Sequence, residues 1–560
     1  MIFTLHRYIF RDLFKTFALS TAILSMILGL GTMLKPLREF GVNPASVPEL
    51  LLCTLPMTMT MVFPIAALLA TTLTYGKFAF ENEMTACRSS GISLMTLIYP
   101  AATLALLVGF ATLVMNFHVV PYFIERSEKL VRDDIESIIY RNIEKNGSLG
   151  RRMFPGTMVY ADNADPENHM LHGVAVVQVN KKDRSKVILT AQSIRIEFHE
   201  DKKTNHRWVK LVPKNYLAVL DDGTIMKSSI TGLVRDIPSF WRDAIKFKRL
   251  KDLKKIQQNM AQFSDISKAI DKIKQQMTVE IFFQRCQNDF NQKGYIELLT
   301  DNGNSKVIIY ARQCEMRVKK SENSKSSDKI DNEKKTAILL PHENKMVIAE
   351  YYYDINDTEP QKTYEIEKAY LEVNDYFNTL SLEAKLNMKN AVCINHRTGN
   401  NKTNYGLYDI GLMLPPDIAE KVQREITFQQ LTKSELGANE FLLKPSEYMQ
   451  KQYTSIREKS DELNAEIVAE LHSRLAFGVS CVMLTLMGAA LGIVFKSGHL
   501  LTAFGISFIP AGLCLITIFT GQHIAEQSTS GITGGLTFLW SGVVIVTICN
   551  FLLYKFKIRH

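Results

Sequence analysis

The chain has 560 residues, 46% of them hydrophobic, and a formal net charge of +9. That length allows two or three domains. A mean hydropathy near zero fits neither an ordinary soluble protein nor a compact all-membrane one, so two unlike populations of residues are averaged together. The basic residues flank apolar runs and stud the middle of the chain. They therefore speak for membrane anchoring and are no signal for nucleic acid.

In chain order, the first feature is a set of three uncharged runs: Lys15 to Lys35, Glu49 to Lys77, and Arg88 to Glu125. A helix advances about 1.5 Å per residue, so about 20 apolar residues cross a hydrocarbon core, and each run is long enough. The first run has a basic flank, as a signal peptide would. It is longer than a signal core, however, and Lys35-Pro36-Leu37 follows it where a small-residue cleavage site would stand, so it reads as a retained helix.

The middle of the chain, from about Arg126 to Glu470, is polar and rich in alternating segments such as Val174–Val179, Lys186–Thr190, Ile194–Phe198 and Lys306–Tyr310. Period-2 alternation with β-branched residues, broken by Asn, Asp and Gly, predicts half-buried antiparallel strands in a sandwich or jelly roll. The pattern recurs. Ser185-Lys186-Val187-Ile188 precedes Ala191, and Ser305-Lys306-Val307-Ile308 precedes Ala311. Downstream, Leu211-Val212-Pro213 and Leu339-Leu340-Pro341 are each expected to close the next strand. A charged helical stretch follows each block, near Leu253–Gln292 and Pro445–Glu470. Either duplication or chance likeness of strand-rich segments produces this order. Ser321–Lys335 reads as a disordered loop.

Three more uncharged runs end the chain: Arg474 to Lys496, Lys496 to Glu526, and Glu526 to Lys555. With the N-terminus inside, the short inner segments carry Arg7, Arg11, Lys15, Lys77, Arg88, Lys496, Lys555, Lys557 and Arg559, and the short outer loops only Lys35 and Arg38. Basic residues resist translocation, which predicts both termini in the cytoplasm and the β region outside it. The expected architecture is an α-helical membrane protein with six transmembrane helices, three plus three, around a large inserted all-β, jelly-roll-like domain. Its segments are 1–125 for helices one to three, with a cytoplasmic helix near 77–93; 126–252 for the first β block; 253–296 helical; 297–444 for the second β block; 445–470 a helical connector; and 471–560 for helices four to six.

Catalytic motifs are missing from the sequence. It has no phosphate-binding Gly-x-x-x-x-Gly-Lys-Ser/Thr loop, and His342-Glu343 has no second His four residues on. No CxxC is present, and of the eight cysteines Cys286, Cys314 and Cys393 fall in the polar region, a number compatible with one disulfide. No acidic pair or histidine relay is read within the spans; His118 and His523 stand toward the outer ends as interfacial residues. The chain reads as a non-enzyme without cofactor or metal, dependent on an outside energy source.

Between the second and third runs, Asn82-Glu83 through Arg88 has acidic residues early and a basic one late, which suits a helix dipole, and Ser89-Ser90-Gly91 can end such a helix. A short amphipathic helix there would give a soluble partner something to push; a plain connecting loop is the alternative. At the other end of the first helix, Lys35 and Arg38 stand at headgroup level. They suit either anionic lipid phosphates or snorkelling anchorage. Gly29 and Gly31 are candidates for close helix contact.

Leu55-Pro56 followed by Val62-Phe63-Pro64-Ile65-Ala66, the run Glu81–Ser93, Pro100, Arg7-Tyr8-Ile9, and Glu470-Leu471-His472-Ser473-Arg474-Leu475-Ala476 resemble the LptF/LptG family of lipopolysaccharide-export permeases. Gly156-Thr157, Leu171-His172-Gly173-Val174 and Arg207–Leu211 resemble that family's periplasmic jelly roll more loosely. The resemblance implies a permease subunit in the bacterial inner membrane, with the β domain periplasmic. It also implies pairing with a second paralogous permease or an identical copy, a cytoplasmic ABC ATPase dimer beneath, and periplasmic bridge proteins that receive lipopolysaccharide. It assigns Glu81–Ser90 as the coupling helix, with Glu83 in a charged contact, Arg88 orienting the helix and Glu81 beside them. A mechanotransmitting scaffold that moves the β domain without passing lipid is the other reading. The second β block and the helical stretch near Leu253–Gln292 depart from the family pattern as read from the sequence.

Overall fold

The computed structural model describes residues 2–40, 47–149, 157–179, 186–201, 206–219, 225–226, 233–236, 245–300, 303–318, 335–341, 346–374, 383–398, 401–425, 428, 447–494, 500–527 and 531–558. The chain forms two compact units. One comprises Met1–Asn142, Pro238–Met260 and Glu458–His560; the other comprises Ile143–Ile237 and Ala261–Arg457.

Among the described residues, six helices are long and apolar enough to cross a membrane, and their apolar parts all belong to the first unit. They are α1 (Ile2–Phe40), α2 (Val47–Phe80), the stack of α4 (Leu94–Val114) and α5 (Val120–Asn146) across a π-turn at Met115–Val119, α9 (Glu447–Val494), α10 (Leu500–Gln527) and α11 (Ile532–Leu553). The short helix α3 (Glu83–Ser89) follows α2, and α6 (Leu250–Gln258) belongs to the same unit. Large apolar side chains stand out from these helices, with Phe110 71% and Ile509 70% exposed. Such faces suit acyl chains and would be a liability in water. The threonines on the helices turn their hydroxyls back on helix carbonyls, Thr58 to Leu55 at 2.9 Å and Thr112 to Val108 at 2.8 Å. A polar group away from water is thereby satisfied locally.

Glycines stand where helices approach closely. A Cβ on Gly488 of α9 would meet the Thr71 hydroxyl and come within 2.6 Å of the Leu68 carbonyl oxygen of α2. One on Gly535 of α11 would stand 2.6 Å from Ala525 Cα, and one on Gly521 of α10 would stand 2.6 Å from Leu539 Cα. Without hydrophobic drive between helices in lipid, such small-residue contacts are what hold a bundle together. Gly29 and Gly31, the sequence candidates, do not make them. A Cβ on Gly29 would be 3.7 Å from Leu55 Cδ2, and Gly31 faces open space.

The second unit is built on two antiparallel sheets. The first has seven strands: β1 (Ser148–Leu149), β2 (Thr157–Asp165), β3 (Met170–Val179), β4 (Lys186–Asp201), β5 (His206–Val219), β6 (Ile225–Met226) and β7 (Leu233–Asp236). Strands β1 to β5 pair in sequence order, and β6 and β7 both pair with β5. The second has β8 (Tyr295–Leu299), β9 (Lys306–Tyr310), β10 (Gln313–Val318), β11 (Lys335–Leu340), β12 (Val347–Tyr352), β13 (Lys362–Asn374), β14 (Glu383–Asn395) and β15 (Asn401–Leu412). Thr300 bridges to Leu412, and the Met413 amide donates to the Leu299 carbonyl at 2.7 Å. The sheet therefore curls until its first and last strands meet. Helix α7 (Ser264–Lys293) closes it with Phe282, Phe283, Cys286 and Phe290 in one core with Ile309, Leu339, Ile366 and Leu386. Helix α8 (Pro416–Glu425) adds Ile418 to that core and ties back to α7 through Arg285 and Asp417 at 2.7 Å. Cys286 and Cys314 share this core as free thiols. Burial pushes both thiols up, Cys314 to about 12.

Both sheets are creased. In the first, the ladder passes over Asp162 and Gly173, over Gly173 and Gln192, and over Gln192 and Asn215, each between regular pairs. In the second it passes over Glu367 and Asn390, then Asn390 and Gly406. Every other strand at the crease has a left-handed residue: Gly173 at φ +60°, Asn215 at +51° and Asn390 at +53°. Gly and Asn are the types that adopt this region at least cost. The asparagines donate sideways, Asn215 to Gln192 Oε1 at 2.9 Å and Asn390 to Glu367 Oε2 at 2.8 Å. Core-facing positions step by three across the crease, as in Leu171/Val174, Ala191/Ile194, Ile366/Ala369 and Met388/Ala391, all buried. Pro213, expected to close a strand, instead lies inside β5 opposite Ile194. The loop expected from Ser321 lies outside the described residues as far as 334.

Candidate functional site

Helix α3 is short and held at both ends. Asn82 precedes it at φ +58°. At its end Gly91 stands at φ +80°, the Ile92 amide donates to the Cys87 carbonyl at 3.1 Å, and the Gly91 amide donates to the Arg88 carbonyl at 3.0 Å. This left-handed cap satisfies carbonyls that a helix end otherwise leaves free. Met84 is buried in the core of α1, α2 and α4, and Cys87 and Ile92 pack against that core. Positions 84 and 87 share one face, as residues three apart do. Glu81, Thr85 and Arg88 are exposed and Glu83 is half-buried. The helix is thus a polar ridge anchored from beneath by apolar side chains, with charges of both signs outward.

Lys35 and Arg38 fall in the last turns of α1; their side chains lie outside the described residues. His118 and His523 are both exposed.

The sequence reading missed a buried polar cluster. Glu470 and Arg474, four apart on α9, are 6% and 3% exposed and pair at 2.8 Å. Arg474 Nη2 also donates to the carbonyls of Lys246 at 3.0 Å and Lys248 at 3.1 Å, and its guanidinium lies 5.5 Å from the Phe117 ring centroid. Gln522 of α10 donates to Glu470 Oε2 and to Glu526 Oε1, both at 2.9 Å. A cavity of about 50 Å³ opens among Thr60, Asn116, Lys246, Ser473 and this pair. Asn116 and Phe117 come from the π-turn at Met115–Val119, a local widening of the helix that recurs at functional places. Arg474 Nη1 has no hydrogen-bond partner among the described residues, and a cavity of this size is large enough to admit a water. Beside the cluster, Trp540 Nε1 donates to His472 Nδ1 at 3.2 Å. The available signal was the pairing of opposite charges at i and i+4 at the mouth of an uncharged run. It reads as a surface pair until the segment carrying Lys246 is seen to cover it.

A family model described as lipopolysaccharide export system permease LptF/LptG matches residues 7–284 and 341–555. The match takes in the six apolar helices, α3, the first sheet, most of α7, and β12 to β15. It leaves out residues 285–340, which carry β8 to β11. The departure from the family is therefore narrower than the sequence led us to expect, since residues 253–284 and the second β block from 341 onward lie within the match. No curated protein matches the chain.

Proposed function

Because the chain belongs to the lipopolysaccharide export system permease family LptF/LptG, we propose that it is the permease half of an ATP-driven extractor that lifts lipopolysaccharide out of the inner membrane and passes it to a periplasmic bridge. That it is a multi-pass membrane component of a transport system follows from the family and the six apolar helices. The rest is our reading. Both termini face the cytoplasm and the creased sheets face the periplasm, in keeping with the basic residues gathered on one side. A second permease, paralogous or identical, completes the lipid cavity, and a separate ATPase dimer supplies the force.

The observation that carries the reading is α3, a capped helix between the second and third spans with its apolar side seated and its charged side free. A force applied to such a helix reaches α1, α2 and α4 through Met84 without first bending a loop. Glu83 makes the charged contact to the ATPase, with Glu81 and Arg88 setting the approach. Glu83→Lys replaces an attraction by a repulsion, and an interfacial charge reversed in this way costs several kcal/mol. The expected result is loss of the ATPase on co-purification with an unchanged yield of the permease. Retention of the ATPase at wild-type stoichiometry would remove α3 from the coupling path.

Lys35 and Arg38 meet the phosphates of the cargo at headgroup level, where cation and phosphate form charge-assisted contacts. The double variant Lys35→Glu/Arg38→Glu should recover about thirtyfold less co-purified lipopolysaccharide by mass spectrometry, in line with about 1 kcal/mol for each cation lost. Equal recovery leaves these residues an anchoring role alone.

A further inference from the structure

The stretch from Lys246 to Lys255 concentrates charge of one sign, with Lys246, Lys248, Arg249, Lys251, Lys254 and Lys255 against the single acid Asp252. Two ties fix its height. Arg474 Nη2 holds the carbonyls of Lys246 and Lys248, and Arg249 Nη2 pairs with Glu125 Oε2 at 2.8 Å. Glu125 and Arg474 are the first charged residues met on leaving the apolar runs of the third and fourth spans. A segment bound to both lies where hydrocarbon gives way to headgroups.

Helix α6 is two-faced at that level. Leu253 is buried, and Ile256 and, in the turn just past the helix, Met260 are half-buried. Ser460 donates to Met260 Sδ at 2.9 Å and Gln257 donates to Asn464 Oδ1 at 3.0 Å, which seats this side on α9. The opposite side presents Lys251, Lys254, Lys255 and Gln258, spaced i, i+3, i+4 and i+7 and all exposed. An amphipathic helix fixed in the interface with a lysine stripe outward is complementary to a surface of phosphates.

We propose that α6 is a phospholipid-docking helix whose Lys251, Lys254 and Lys255 hold anionic headgroups of the surrounding bilayer against the outer ends of the third and fourth spans. The occupant is the bilayer itself. The segment is bound at the level of headgroups, and exposed lysines at this height meet a continuous anionic surface before they meet a single cargo molecule. This rests on the six spans and not on the identity of the cargo, so it stands or falls apart from the export reading.

The test uses the full-length protein in nanodiscs with a photoreactive phenylalanine analogue in place of Gln258, on the lysine side of α6. With phosphatidylglycerol, illumination should give lipid adducts, resolved by mass spectrometry, at least tenfold above those with phosphatidylcholine. The yield should fall as salt is raised from about 0.05 to 0.5 M, where screening shortens to a few ångströms. Lys251→Gln/Lys254→Gln/Lys255→Gln should lower it by about fivefold for each lysine lost, and the matching triple arginine variant should restore it. Equal yields in the two lipids, crosslinks to α9 of the same chain, or adducts formed solely when lipopolysaccharide is added would each overturn the proposal.

Discussion

Leucine in place of Gly521 or Gly535 will unseat α10 from α11. A Cβ at Gly535 already falls 2.5 Å from the backbone nitrogen of Ala525, and at Gly521 it falls 2.6 Å from Leu539 Cα. The obstacle is backbone and not a rotatable side chain, so neither helix can yield without moving as a body. Overpacking a core costs typically 1–3 kcal/mol where side chains adjust. Here each substitution should exceed about 3 kcal/mol, and the pair should abolish recovery of folded protein in detergent. Gly31→Leu is the control, since its site faces open space and its melting temperature should stay within a degree or two of wild type. A small loss at Gly521, comparable to that at Gly31, would mean that the two helices are not in contact there.

Arg474→Ala should be the other severe change. It leaves Glu470 buried with its charge uncompensated and frees the carbonyls of Lys246 and Lys248 from their donor. Removing one member of a buried pair costs about 3–5 kcal/mol, whereas replacing both by apolar residues of similar volume is often neutral. The double variant Arg474→Met/Glu470→Leu should therefore melt above Arg474→Ala. Arg474→Lys should fall between, because an ammonium keeps the charge but not the planar fork that reaches Glu470 and two carbonyls together. Thermal unfolding in detergent orders the three. If the double variant melts lowest, the cluster owes its worth to its hydrogen bonds to the chain and not to charge compensation.

The six spans were legible because their signal is long and unambiguous: no charge for nineteen residues or more. The C-terminal end of α3 was legible for a local reason, since Gly91 has no Cβ to penalise a left-handed cap. The strands were harder. Lys186–Thr190 and Ile194–Phe198 read as two segments because the buried positions change parity between Ala191 and Ile194, yet they are one sixteen-residue strand. Asn215 and Gly173 look like turn residues, but they sit inside strands at a crease. A period-2 reading has no means of separating a left-handed residue that ends a strand from one that bends it. The buried pair at Glu470 and Arg474 was hidden for a different reason. Its burial depends on a segment more than two hundred residues away, and spacing along α9 carries no trace of that.

Residues 238–260 belong with the membrane helices although they lie, in sequence, between the two sheets. The chain therefore leaves the helical body twice and comes back twice, once for each sheet. Lengthening one excursion alters nothing in the covalent path of the other or in the order of the spans. A proteolytic nick within either would leave the remaining one still fastened at both of its ends. Growth of a domain on these terms demands no compensating change among the helices, which is how a transport protein can carry the added strands β8 to β11 while keeping the frame that the family model matches.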